Sequence, residues 1–253
     1  MVPLGPIPFR FPGLSGVRCA FSTRVLDAAA PGASRPPFDA LNLSFDVGDD
    51  PARVAANRRA LAARLGLAQW CELRQVHGDA LRIEPAPTPL DAAATLEGDA
   101  MATARRGLGL AIKTADCQPV LLAHAAGRFV AALHVGWRGN VLDLPGSAVA
   151  RLCAHYGCGP ADLFAVRGPS LGPANAEFTG FDREFGPAFA DFYDPAGRTV
   201  DLWRLTRHQL ERAGLAPSRI FGLDRCTFAD PGAFFSYRRA RPCGRMLSLI
   251  WLE

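Results

Sequence analysis

The sequence predicts a layered α/β fold with a mixed sheet, on three observations. Strand-like and helix-like segments alternate along the 253 residues. Two apolar runs, residues 119–124 and 129–135, are separated only by Ala125-Ala126-Gly127-Arg128 and read as an antiparallel hairpin, so the sheet is not purely parallel. A hydrophobic fraction of 49% with 21% charged residues provides for a sizeable core under an ordinary surface.

Taken in order, residues 17–22 are a short strand. Asp50 and Pro51 fit an N-cap and a first helical position, and apolar residues recur at helical spacing over residues 52–65 until Gly66 stops the helix. Residues 71–77 read as a strand ending at Gly78. Residues 107–113 form another, broken by Thr114-Ala115-Asp116-Cys117. The hairpin closes at Gly136-Trp137-Arg138-Gly139. A helix over residues 144–156 stops at Gly157, and residues 163–167 are a strand running into Gly168-Pro169. Residues 201–213 are a helix, 220–223 a strand and 234–239 a short helix or turn. The closing strand, 246–252, is apolar on both faces and is expected at the centre of its sheet. Residues 28–37 and 84–93, rich in Pro and small residues, read as surface loops and not as linkers, which makes residues 1–253 one domain.

The net charge is +4, and every basic residue but Lys113 is an arginine. With so much Ala, Gly and Pro, this reads as coding bias in a GC-rich genome. No Lys/Arg stripe interleaved with aromatics exists, so nucleic acid is not an expected partner. No apolar run reaches the roughly 18 residues of a membrane helix. The N-terminus lacks a basic start followed by an apolar core, so the default location is cytoplasmic and no membrane partner is expected. The seven cysteines are odd in number and irregularly spaced, with no CxxC pair, and read as reduced thiols.

Chemistry concentrates at strand ends, where catalytic groups of α/β sheets gather. Of the five histidines, His77 and His134 end strands beside glycine turns, and Cys117 sits in the break after a third strand. Converging, they would offer two imidazoles and a thiolate, a set suited to zinc bound tetrahedrally, with the fourth position left for water. A buried Cys also serves as a small hydrophobe and a His beside Gly also satisfies a turn, and spacing alone leaves that choice open. His124, His155 and His208 lie in a hairpin turn or on amphipathic helices, where a surface role is expected.

Asp116 adjoins the cysteine and is a candidate orienter or proton carrier, or else a turn or cap aspartate. Arg138, in a glycine-flanked turn, is a candidate to hold phosphate or carboxylate with its planar fork, helped by N–H groups of a helix start, or else a surface ion pair. Ser22, Thr23, Arg24 and Asn42 fit a polar pocket or a turn equally well.

In their order along the chain, several motifs resemble one family. They are Phe21-Ser22-Thr23-Arg24, Leu41-Asn42-Leu43, Gly48-Asp49-Asp50 with Asn57-Arg58, and Gln75-Val76-His77-Gly78. Gly98-Asp99 follows, then Thr114-Ala115-Asp116-Cys117-Gln118-Pro119 and His134-Val135-Gly136-Trp137-Arg138-Gly139. Cys226-Thr227, Phe234-Phe235-Ser236-Tyr237-Arg238-Arg239 and Gly244-Arg245 close the series. The chain resembles the YfiH-like, or laccase-domain, family, described both as peptidoglycan editing factors and as multifunctional purine nucleoside enzymes.

The resemblance implies a single-domain α/β/α sandwich with a mixed sheet and one zinc ion per chain on His77, Cys117 and His134. Copper is a possible substitute for that ion. The chain departs from the family at Val135, where Ala is common. It departs again in Leu171-Gly172-Pro173-Ala174-Asn175-Ala176-Glu177, which keeps the Glu and lacks the family's cysteine and tyrosine.

The resemblance further implies phosphorolysis of adenosine, inosine, guanosine or methylthioadenosine, and hydrolytic deamination of adenosine. Purine nucleoside and phosphate would be the partners, with the oligomeric state left open. In this reading Asp116 carries a proton, and Arg138, Arg24 or Arg238 holds phosphate. The alternative is removal of misincorporated serine from a UDP-muramoyl amino acid, which asks for a long groove where a nucleoside asks for a compact one. A third reading, copper-dependent polyphenol oxidation, lacks the His-x-His pairs of a trinuclear cluster. A binding protein with a structural metal, and a hydrolase using Cys117 as nucleophile, complete the alternatives.

Overall fold

The computed structural model describes residues 5–253. Its strands are Ile7–Phe9 (β1), Val17–Phe21 (β2), Gln69–Cys71 (β3), Leu81–Ile83 (β4), Ala100–Thr103 (β5), Leu108–Thr114 (β6), Gln118–His124 (β7), Val130–Val135 (β8), Leu163–Arg167 (β9), Tyr193–Asp194 (β10), Thr199–Val200 (β11), Ile220–Gly222 (β12) and Met246–Leu252 (β13). The α-helices are Pro51–Leu65 (α1), Trp137–Val141 (α2), Leu144–Tyr156 (α3), Phe181–Glu184 (α4) and Leu202–Arg212 (α5).

The strands divide between two mixed sheets. One runs β1-β2-β13-β6-β3 and the other β12-β9-β7-β8-β5-β4, while β10 and β11 pair apart. Mixed pairing is as expected: β7 and β8 form the antiparallel hairpin, while β3 with β6 and β12 with β9 are parallel. β13 is central, between β2 and β6. Between the helical layers, however, lie two stacked sheets where one was expected. Alternate residues of β6 and β13 (Leu110, Ile112, Ile250) meet Leu121, Val130 and Val166 of the second sheet in one core. The opposite face of the first sheet packs on α1 through Leu61 and Ala62. That of the second packs on α3 and α5 through Val149, Leu152 and Leu210. A strand apolar on both faces announces that it is covered twice, not whether a helix or a sheet covers it.

The helix boundaries follow their caps. The Asp50 side chain accepts from the N–H of Ala52, and Gly66 takes the left-handed conformation that ends α1. Gly157 ends α3 in the same way. The expected strand over 71–77 is regular only over Gln69–Cys71. Beyond it the chain keeps one bridge, Arg74 to Glu97, and at His77 turns into the left-handed region with φ 60°. Of residues 234–239, the last three form a turn and the first three are irregular. No helix among the described residues is long and apolar enough to cross a membrane, and all seven cysteines are free thiols.

Candidate metal centre and its two cavities

The ends of three segments converge as their residue types suggested. His77 follows β3, Cys117 lies between β6 and β7, and His134 is the penultimate residue of β8. One ligand atom from each lies within 4.8 Å of the others. Cys117 Sγ is 3.9 Å from His77 Nε2, and the two imidazole rings are 4.8 Å apart at 74°. A tetrahedral ion with bonds of about 2.0–2.3 Å sets its ligands roughly 3.5 Å apart, so the cluster fits a borderline-soft metal with little movement. Gly136 makes room for it: a Cβ there would stand 3.0 Å from Cys117 Sγ and 3.2 Å from His77 Cδ2.

Asp99, fully buried at the entry to β5, organises the cluster. Its carboxylate accepts from the backbone N–H groups of Val76, His77 and Gly78 at 3.2, 3.0 and 2.8 Å. Those bonds hold the strained turn that presents His77. The same carboxylate meets His134 Nδ1 at 2.8 Å, which leaves Nε2 as the free nitrogen of that ring. Burial alone would raise the Asp99 pKa, and the hydrogen bonds and charge from His134 with the N–H donors bring it below the ordinary carboxylate range. Burial likewise raises the Cys117 thiol, and the two imidazoles beside it more than reverse that, so it favours the thiolate. Burial lowers His134, but Cys117 and Asp99 lift it above the ordinary histidine range. Both shifts run in the direction that suits metal ligation by the thiolate.

Asp99 is the residue that sequence reasoning missed. Gly98-Asp99 stood out only as a motif, and nothing in its spacing announced a partner 35 residues away.

Two cavities meet at the cluster, sharing His77, Cys117, Arg138 and Tyr237 among their walls. One, about 350 Å³, has an aromatic and apolar stretch of Trp137, Leu171, Phe178 and Leu202 along it, together with charged groups that include Glu184, Arg238 and Arg241. The other, about 580 Å³, is basic, with Arg74, Lys113 and Arg245. A separate cleft of about 260 Å³ beside Arg167 and Trp203 contains none of the cluster residues.

The remaining candidates are distributed unevenly. Arg138 borders both cavities with its guanidinium 4.3 Å from the Trp137 ring. The helix it stands on, α2, is a single turn of five residues. Arg238 borders the aromatic cavity, donating to the Glu177 carbonyl at 2.8 Å and lying 5.6 Å from the Phe178 ring. Asp116 has φ 103°. Its two carboxylate oxygens accept from the Thr227 hydroxyl and the Arg238 N–H, each at 2.7 Å. Arg24 borders neither cavity: its guanidinium is bound to Asp39 and to the Pro231 carbonyl and stacks on Phe235. Ser22, Thr23 and Asn42 are buried, with side chains bonded to nearby backbone. His124 is also buried, and its Nδ1 accepts from Ala126 in the hairpin turn. The divergent loop borders the aromatic cavity through Leu171 and Glu177.

Residues 18–253 match the family model described as multi-copper polyphenol oxidoreductase laccase. The purine nucleoside phosphorylase YfiH of Escherichia coli K12 is 37% identical over 253 residues, covering 96% of this chain and 97% of that one. A purine nucleoside phosphorylase of Xylella fastidiosa is 40% identical over 236 residues, 88% of each chain. The crystal structure of YlmD from Geobacillus stearothermophilus superposes with a TM-score of 0.83 at 28% identity, covering 99% of both chains. The chain therefore belongs to the laccase-domain family of YfiH-like proteins.

Proposed function

We propose that the whole chain is one catalytic unit, a zinc-dependent purine nucleoside phosphorylase. The observation that carries this reading is the junction of an aromatic and a basic cavity at the His77–Cys117–His134 cluster. The names of relatives at 37% and 40% identity support it. A purine base suits the cavity beside Phe178 and Trp137, where flat apolar surface removes it from water. The ribose then falls at the junction and phosphate on the basic side.

In the reaction an oxygen of hydrogen phosphate bonds to C1′ as the C1′–N9 bond breaks. The bonding pair leaves with the purine, and the phosphate's proton ends on the purine nitrogen. His77, Cys117 and His134 would hold the zinc ion, which when bound would supply Lewis acidity at that junction. Asp99 fixes the tautomer of His134 and the turn of His77. Arg138, facing both cavities, is the residue suited to the charge that builds between phosphate and sugar. Asp116 positions Arg238 and the backbone around it. Hydrolytic deamination of adenosine would use the same base cavity with water in place of phosphate. Copper oxidation asks for several metal ions, whereas the described residues offer one cluster of three ligands.

The test is to incubate metal-assayed protein with adenosine, with and without phosphate. Adenine with ribose 1-phosphate, formed only with phosphate, is the expected result; inosine would mean deamination. No turnover of any purine nucleoside would overturn the reading in favour of amide hydrolysis on a cell-wall precursor.

A further inference from the structure

Of the 28 basic side chains in this sequence, one is a lysine, and it is Lys113 in the wall of the basic cavity. Arginine serves at every other cationic position. Lys113 is 7% exposed. Its backbone is held from both sides by the Gln75 amide, which accepts from the Lys113 N–H and donates to its carbonyl, each at 2.8 Å. Two residues from His77, Gln75 thus ties the lysine to the turn that carries a cluster ligand.

The charges around Lys113 are layered. Deepest is the fully buried Arg58–Glu72 pair. The second Glu72 oxygen has no hydrogen-bond partner and lies 4.0 Å from Lys113 Nζ. The nearer partner is Asp46 at 2.9 Å, a half-exposed carboxylate on the same cavity wall. Arg58, Glu72, Lys113 and Asp46 balance. The other cations on the cavity do not: Arg74 pairs with Glu97, but Arg138 and Arg245 have no carboxylate partner among the described residues. Arg245 donates to the carbonyls of Cys243 and Gly244. The cavity is short of about two negative charges, those of a phosphate dianion. An ammonium, a compact point charge with three rotatable donors, suits one oxygen of such a group, and two guanidinium forks suit the others.

We propose that Lys113, Arg138 and Arg245 form a phosphate subsite beside the metal centre, in which Asp46 holds the place of the anion and gives way when phosphate arrives. This rests on the phosphorylase reading for its role in the reaction, but binding itself does not require turnover. The phosphate recognised is either free inorganic phosphate, as that reading requires, or the 5′-phosphate of a nucleotide.

The experiment is a calorimetric titration of metal-loaded protein with inorganic phosphate and, separately, with adenosine 5′-monophosphate. It is repeated with Lys113→Met, Lys113→Arg and Arg245→Met, with thermal melts and metal content as controls. The expected result is phosphate binding weakened at least tenfold in Lys113→Met and Arg245→Met, with metal retained and partial recovery in Lys113→Arg. In turnover the same variants raise the phosphate KM and leave the adenosine KM near its original value. Monophosphate binding that is lost in both Met variants, while free phosphate binds all proteins alike, assigns the subsite to a nucleotide and overturns the free-phosphate form. Unchanged binding of both probes in a folded Arg245→Met variant overturns the subsite, even if Lys113→Met fails to fold. Phosphate binding lost in the variants, from a wild type without phosphate-dependent turnover, keeps the subsite and rejects only the phosphorylase reading.

Discussion

The floor of the site and its aromatic wall are built by different means. The floor is a meeting of strand ends, locked by one buried carboxylate that binds three backbone N–H groups and an imidazole. The wall comes from the irregular stretch around α4 and the turns after residue 234, packed through Trp137, Phe178, Phe181 and Phe185. Hydrogen bonds and charge hold the floor, with Gly136 leaving no slack. Aromatic and apolar contact holds most of the wall, joined by the Arg238 hydrogen bond to the Glu177 carbonyl. The divergent Leu171–Glu177 loop borders the wall and contributes no cluster ligand.

The floor should break first and hardest. His77→Ala or Cys117→Ala is expected to lose bound metal and at least 100-fold in turnover, as chelation of the wild type should; metal analysis beside product assays checks this, and full activity in either variant would refute the assignment. Next, Asp99→Asn keeps the shape but loses the charge. It is expected to weaken metal binding by about 10–100-fold, read by competition with a chromogenic chelator. Unchanged affinity would mean that Asp99 serves only the fold.

The wall should respond differently. Phe178→Leu is expected to raise the nucleoside KM several-fold with metal content unchanged, and loss of metal would show that floor and wall are not separable. Asp116→Asn sharpens the boundary between them. An amide can still accept the Arg238 N–H through its oxygen and donate to the Thr227 hydroxyl through its nitrogen, so KM should rise only slightly while the pH profile of kcat keeps its shape. A lost ionisation in that profile would restore Asp116 as a proton carrier. Smallest of all, Arg24→Met should leave both KM values alone and cost about 1 kcal/mol of stability through its lost hydrogen bonds, seen as a shift in denaturation midpoint.

Local signals served well where the physics is local. Asp50, Pro51 and Gly66 bound α1, and Gly157 ends α3, because caps satisfy backbone groups within a turn of themselves. The hairpin of β7 and β8 was legible for the same reason, since a short connection brings its two flanks side by side. The short strands β4, β5, β10 and β11 were not legible, because two to four residues exist as strand only through the neighbours that pair with them.

Residue types at strand ends, helped by family resemblance, marked His77, Cys117 and His134 and left Arg24 and Arg138 on equal terms. Hydrogen-bond bookkeeping separated those two arginines. One is spent on Asp39 and the Pro231 carbonyl, while the other faces two cavities.

By itself the sequence determined the metal-binding chemistry on offer, the helix ends and the mixed character of the sheets, because each is written in residue identity or in spacing over a few positions. Only the tertiary structure decided that two sheets stack between the helices, that Asp99 binds both sides of the cluster, and that Lys113 lies in the wall of the basic cavity. Those are contacts between residues distant along the chain. Their energies depend on which groups are removed from water together, and that is settled only when the chain is packed.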